Sequence, residues 1–111
     1  MVIPKPKYMT NNQFALEGKN ILITGASSGI GKQCAISCSR LGARVSLFGR
    51  DIDRLKETHR LMEDVDNHAI YPVDLLEYEK VDRTVNNMVN LRGKLDGLIN
   101  CAGISTTLPL N

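Results

Sequence analysis

The sequence has no tryptophan, and its aromatic residues are three tyrosines and two phenylalanines. With 23% charged residues, this is the composition of an ordinary soluble protein. Three cysteines, Cys34, Cys38 and Cys101, are an odd number without the spacing of a disulfide framework, so a reducing cytoplasm is the expected setting. The only histidines, His59 and His68, stand apart from one another. Cys34 and Cys38 therefore have no further ligands nearby for a metal and read as small core residues; no metal site is expected. The apolar runs are a few residues long, far short of the about 20 that a membrane span needs. No apolar signal core opens the chain, and Pro4 and Pro6 break any helix there, which argues against secretion. The net charge is +2, and once Lys5 and Lys7 near the start are set aside, basic and acidic residues balance. Neither a nucleic acid nor a membrane is expected as a partner.

What is present centres on Asn20 to Gly31, NILITGASSGIG. Ile21, Leu22 and Ile23 form an apolar run without polar alternation, which suits a strand covered on both faces. Gly25 then allows a sharp turn, and Thr24, Ala26, Ser27 and Ser28 are small enough to let an anion approach the main chain. Gly29 removes a side chain where a pyrophosphate would lie, Ile30 opens a helix, and Gly31 lets that helix sit tightly on the strand. Unpaired amides in the first helical turn, at the positive end of the helix dipole, favour phosphate. A glycine-rich turn that binds nothing is the plain alternative. The stretch is not a Walker loop: counting back from Gly31-Lys32 puts Ala26 at the first glycine, and Gln33 stands where the metal-binding hydroxyl belongs. Nor is it the common G-x-G-x-x-G, because the glycines fall at Gly25, Gly29 and Gly31.

Taken in order, residues 1–13 are polar and proline-broken and read as a flexible lead-in, with Phe14 and Leu16 tucked beneath a sheet. Residues 14–111 read as one domain. After the first strand and turn, a helix is predicted with Ile30, Cys34, Ile36, Cys38 and Leu41 inward, ended by Gly42. Arg44 to Phe48 forms the second strand. Asp51 caps a second helix with Ile52, Leu55, Met62 and Val65 on its inner stripe, and His59 near that stripe reads as structural. His68 to Val73 is the third strand. A helix follows from about Glu77 to Leu91 with Val81, Val85, Met88 and Val89 inward, and Leu95 to Asn100 is the fourth strand. Alternation of this kind, with short connections, predicts an α/β fold: a Rossmann-type doubly wound parallel sheet, strand order 3-2-1-4.

Thr24 to Gly31, TGASSGIG, resembles the cofactor motif of the short-chain dehydrogenase/reductase family. Asn100-Cys101-Ala102-Gly103 is similar to that family's N-N-A-G segment after the fourth strand, with Cys101 in place of the second asparagine. Asp74 after Val73 resembles its acidic residue after the third. The likeness runs from about Phe14 to Pro109. It implies a nicotinamide dinucleotide held at the carboxyl ends of the strands. Gly25, Ser27, Ser28, Gly29, Ile30 and Gly31 would take the diphosphate; Asp74 and Leu75 the adenine; Asn100, Ala102 and Gly103 the ribose and central sheet. At the end of the second strand, where an acidic side chain selects NAD, the sequence has Gly49 followed by Arg50, whose guanidinium suits a 2′-phosphate. NADP is therefore favoured over NAD. Asp51 lies roughly 20 residues beyond the glycines, where NAD-binding acids sit, and Ser28 occupies a place where NADP-using relatives often have a second basic residue. Arg50 as a plain surface residue and Asp74 as a helix cap are the alternatives.

The family's hydride chemistry uses a downstream Ser and Tyr-x-x-x-Lys. Four places after Tyr8, Tyr71 and Tyr78 stand Asn12, Leu75 and Asp82, so no catalytic residue is assigned. The expectation is the N-terminal part of an NADPH-dependent carbonyl reductase, truncated before its catalytic segment, with a small carbonyl or alcohol substrate and a homo-oligomeric parent. A 3-oxoacyl-carrier-protein reductase and sugar or steroid dehydrogenases remain open, as does a non-catalytic nucleotide-binding module or decayed remnant. Strand four would be left as an apolar edge that invites aggregation.

Overall fold

The structure, a computed structural model, describes residues 15–102. The expectations for the lead-in, for Phe14 and for residues 103–111 lie outside the described residues. The elements alternate: β1 (Asn20–Thr24), α1 (Gly29–Arg40), β2 (Arg44–Gly49), α2 (Ile52–Arg60), β3 (Ala69–Pro72), α3 (Tyr78–Arg92) and β4 (Gly97–Asn100), with a single 3₁₀ turn at Val65–Asn67. The four strands form one parallel sheet in the order β3-β2-β1-β4, as the sequence pattern predicts. Thr24 lies opposite Phe48 on one side and Asn100 on the other, so the carboxyl ends of β2, β1 and β4 finish level. That alignment gathers the loops after them into one place.

The side-chain period of two sorts each strand onto two cores. Ile21, Ile23, Val45 and Leu47 face α1 and α2 and pack with Ala35, Ile36, Cys38, Leu55 and Met62. Leu22 and Phe48 face the other way, against Val73 and the α3 residue Met88. Full burial of side chains such as Ile23, Leu47 and Phe48 contributes about 1.5–3 kcal/mol each. Leu16 packs on the larger core, and its amide donates to the Leu41 carbonyl.

Four expected inward positions are corrected. Ile30 is 56% exposed, because the first turn of α1 borders a cleft rather than the sheet. Ile52 is exposed at the start of α2, where Leu55 and Thr58 are the buried pair. Val65 is exposed because α2 stops at Arg60 and the chain passes through the 3₁₀ turn. Val89 is at the margin of exposure on α3, whose buried residue is Met88. Among the described residues no helix is long and apolar enough to cross a membrane.

Candidate functional site

A cleft of about 1080 Å³ opens at the carboxyl ends of the strands. Its floor is the turn after β1. Gly25 has φ +68°, and a Cβ there would lie 2.8 Å from backbone atoms of Cys101 and Ala102, so both conformation and space require glycine. Gly31 is excluded from carrying a side chain by a different neighbour, since its Cβ would sit 1.9 Å from the Gly25 carbonyl oxygen. Helix α1 is thus seated directly on the turn. Gly29 has φ +58° with nothing within 4 Å of a Cβ, which leaves open space in front of the helix end.

The turn is held from two sides. The Ala26 amide donates to the Phe48 carbonyl at 3.1 Å, and the buried Thr58 hydroxyl donates to the Ala26 carbonyl at 2.9 Å. With Ala26 anchored inward, Ser27 and Ser28 are left on the cleft side. Ser28 is the extended N-cap of α1, its side chain makes no capping hydrogen bond, and no acidic residue stands in the first turn. The leading amides of α1 therefore keep their donors and their positive dipole end for a ligand.

At the end of β2, Gly49 packs against Leu55 and Ser27: a Cβ would come 3.0 Å from Leu55 Cδ2. The following Asp51 accepts hydrogen bonds at one carboxylate oxygen from the amides of Asp53 and Arg54, at 3.0 and 3.2 Å. Its other oxygen lies 3.6 Å from Arg54 Nε. Both partners are mostly exposed, so the ion pair adds little stability, but the cap holds Asp51 against α2. Arg50 lines the cleft beside them, and among the described residues no hydrogen bond or ion pair engages its guanidinium.

Beyond β3, the Val73 amide donates to the Gly49 carbonyl at 2.8 Å. One oxygen of Asp74 accepts from the Leu76 amide at 3.0 Å. The N-cap of α3 is Glu77, so Asp74 shapes the turn rather than capping the helix. Beyond β4, Oδ1 of Asn100 accepts from the Thr24 hydroxyl at 2.7 Å and from the Ala102 amide at 3.3 Å, while the Cys101 amide donates to the Thr24 carbonyl at 3.1 Å. These bonds lock the β4 segment against Gly25. Cys101 is buried, and burial, then the neighbouring Cys34 thiol, pushes its own thiol up, away from the thiolate a nucleophile needs.

The structure brings the expected residues together. Gly25 to Gly31, Arg50, Asp74, Leu75, Asn100 and Ala102 all border the cleft, apart from the anchored Ala26. Gly103 lies outside the described residues. Sequence reading missed Arg54 and Leu76, which also line it. The signal for Arg54 was its place three residues after the cap Asp51, on the helix turn nearest the strand ends. No cluster of three metal-ligating side chains occurs among the described residues.

Comparison with known proteins bears on the family. Residues 19–111 match the family model of short chain dehydrogenases. The chain is 32% identical over 114 residues to mouse 3-ketodihydrosphingosine reductase, covering 95% of this chain and 31% of that protein. The apo-form crystal structure of Caenorhabditis elegans glucose dehydrogenase superposes with a TM-score of 0.68 at 31% identity, over 75% of this chain and 37% of that one. NAD⁺-bound xylitol dehydrogenase does so with a TM-score of 0.71 at 27% identity, over 75% and 32%. The chain thus spans about a third of the length of the relatives it matches. With its parallel 3-2-1-4 sheet and its glycine turn at the strand ends, the chain belongs to the short-chain dehydrogenase family, a family of oxidoreductases that bind nicotinamide dinucleotides.

Proposed function

We propose that the chain is the NADP(H)-binding part of a reductase that transfers a hydride from NADPH to a carbonyl carbon. The end of β2 supports this most directly. One oxygen of Asp51, the carboxylate that follows the end of β2, accepts from two amides of α2, while Arg50 lines the cleft with no hydrogen bond or ion pair on its guanidinium among the described residues. A side chain at Gly49 would press on the tip of the fully buried Leu55, which would have to give by a few tenths of an ångström.

In this reading the amides of Gly29 to Gly31, with Gly25, Ser27 and Ser28, hold the diphosphate, and Arg50 pairs with the 2′-phosphate. The remaining oxygen of Asp74 accepts from the adenine amino group beside Leu75. Asn100 and Ala102, followed by Gly103, steady the ribose. The cradle fits such a group: open space stands before Gly29, and small residues surround it. When bound, the dinucleotide supplies the hydride. A small ketone is the proposed substrate class, in keeping with the mouse relative named for 3-ketodihydrosphingosine; the 3-oxoacyl-carrier-protein type stays within that class. A homo-oligomeric longer protein, acting in the cytoplasm, completes the proposal.

Calorimetric titration with NADP, NAD and ATP tests the reading. NADP is expected to bind at least about tenfold tighter than NAD, and Arg50→Ala to lose about 1.4 kcal/mol of NADP affinity alone. Equal affinities for NAD and NADP would refute the cofactor assignment.

A further inference from the structure

Of the residues that line the cleft, Arg50 and Arg54 are the cations and Asp51 and Asp74 the anions. Asp74 stands beyond β3, whereas the other three follow the end of β2. Asp51 is engaged at both oxygens. Its Oδ1 accepts from the amides of Asp53 and Arg54, which fixes the carboxylate at the start of α2, and its Oδ2 lies 3.6 Å from Arg54 Nε. That approach uses only the Nε edge of the guanidinium. The terminal nitrogens of Arg54 keep their N–H donors, and no hydrogen bond engages them among the described residues. The side chain is mostly exposed, so those donors are presented at the mouth of the cleft.

We infer that Arg54 is a second specificity-determining residue for the 2′-phosphate and works as a bridge, its Nε edge on Asp51 and its terminal nitrogens on the phosphate. This rests on the NADP(H) reading above. A phosphate monoester carries about −1.5 to −2 charges at neutral pH, more than Arg50 alone can offset. Asp51, next in the chain, has a charge of the wrong sign. Arg54 answers both problems: paired with Asp51 it cancels the repelling carboxylate, and its remaining donors add to those of Arg50. A ribose hydroxyl gains little from either arginine and meets a carboxylate whose two oxygens are already engaged. The same arrangement therefore favours the phosphorylated dinucleotide and disfavours the plain one.

The pair differs from the other ion pairs of the same spacing. Arg60 and Glu57 lie 2.7 Å apart, and Lys80 and Glu77 3.4 Å; none of these four residues borders the cleft. Asp51 and Arg54 both border it, and their 3.6 Å separation is the longest of the three. Such an exposed pair contributes little to stability. Its separation is beyond hydrogen-bond distance, which leaves the Arg54 guanidinium room to turn toward a phosphate while staying beside its carboxylate.

The test is calorimetric titration of the chain with NADP, NAD and 2′,5′-ADP, for the unaltered sequence, Arg54→Ala, Asp51→Asn and the double variant. Asparagine is as good an N-cap as aspartate, so Asp51→Asn keeps the start of α2. Arg54→Ala is expected to weaken NADP and 2′,5′-ADP at least about tenfold and NAD less than about twofold. Because that change also uncovers Asp51, adding Asp51→Asn should recover at least about threefold of the lost NADP affinity. Unchanged NADP binding by Arg54→Ala, an equal loss for NAD, or no recovery in the double variant would each overturn the bridge. An unaltered chain that binds NADP and NAD equally, or neither, refutes the cofactor reading and the bridge with it. One that prefers NADP yet is indifferent to Arg54 refutes the bridge alone.

Discussion

The two ends of the sheet are built on opposite plans. At the carboxyl ends, structure comes from side chains that are missing: Gly25, Gly31 and Gly49 let main chain lie on main chain or on a core leucine and leave a cleft in front. At the amino ends, buried polar side chains fill the space. Asn20 donates through its side-chain amide to the carbonyls of Arg92, Gly93 and Lys94 at 2.7, 3.2 and 3.2 Å, and its backbone amide donates to Asp96 at 2.8 Å. It caps the end of α3 and fixes the entry into β4. His68 accepts the Val45 amide at Nδ1 (3.0 Å), so Nε2 bears the proton and donates to the Glu63 carbonyl at 2.6 Å. One end should therefore be damaged by adding atoms, the other by removing them.

The sharpest way to break this contrast is Gly31→Ala. The added methyl meets the Gly25 carbonyl, so the turn itself must move; a stability loss of about 3 kcal/mol is expected in urea unfolding, with dinucleotide binding abolished. Normal binding with unchanged stability would mean the close seating of α1 is not required. Next is Asn20→Ala, which strands the last carbonyls of α3. About 2 kcal/mol should be lost while dinucleotide affinity changes less than about twofold. A variant that bound weakly yet unfolded normally would erase the division between the two ends.

The smallest effect is expected from pH. Burial, ahead of any neighbouring charge, pulls His68 below the usual histidine range, and the bond accepted from Val45 requires the neutral ring. The unfolded chain then takes up the proton first. This contribution is complete above about pH 6.5 and is lost progressively as pH falls below it. The urea midpoint should decline between about pH 7 and pH 5, and His68→Gln should flatten that slope. An unchanged slope in the variant would exclude His68 as its source.

Much of the carboxyl end is legible in the residue order because it is local. An apolar run, three spaced glycines and a helix start follow within twelve residues, and backbone sterics give each a short list of conformations. Helix faces were harder to read. Ile30 and Ile52 fit the helical period but sit in first turns that border the cleft or solvent, and Val65 continues a pattern beyond the point where α2 has ended. Periodicity reports which residues share a face and not where the supporting sheet stops. The amino end was almost invisible in advance, since Asn20 finds its acceptors 72 to 74 residues away and His68 its donor 23 away.

The sequence by itself determined the alternation of strands and helices, the parallel doubly wound order and the glycine turn, because propensity, spacing and sterics act over a few residues. Only the tertiary structure decided why Gly31 cannot carry a methyl and that Asn20 and His68 close the far end. Each of these depends on contacts between segments distant in the chain or on geometry within a few tenths of an ångström, and no local pattern encodes either.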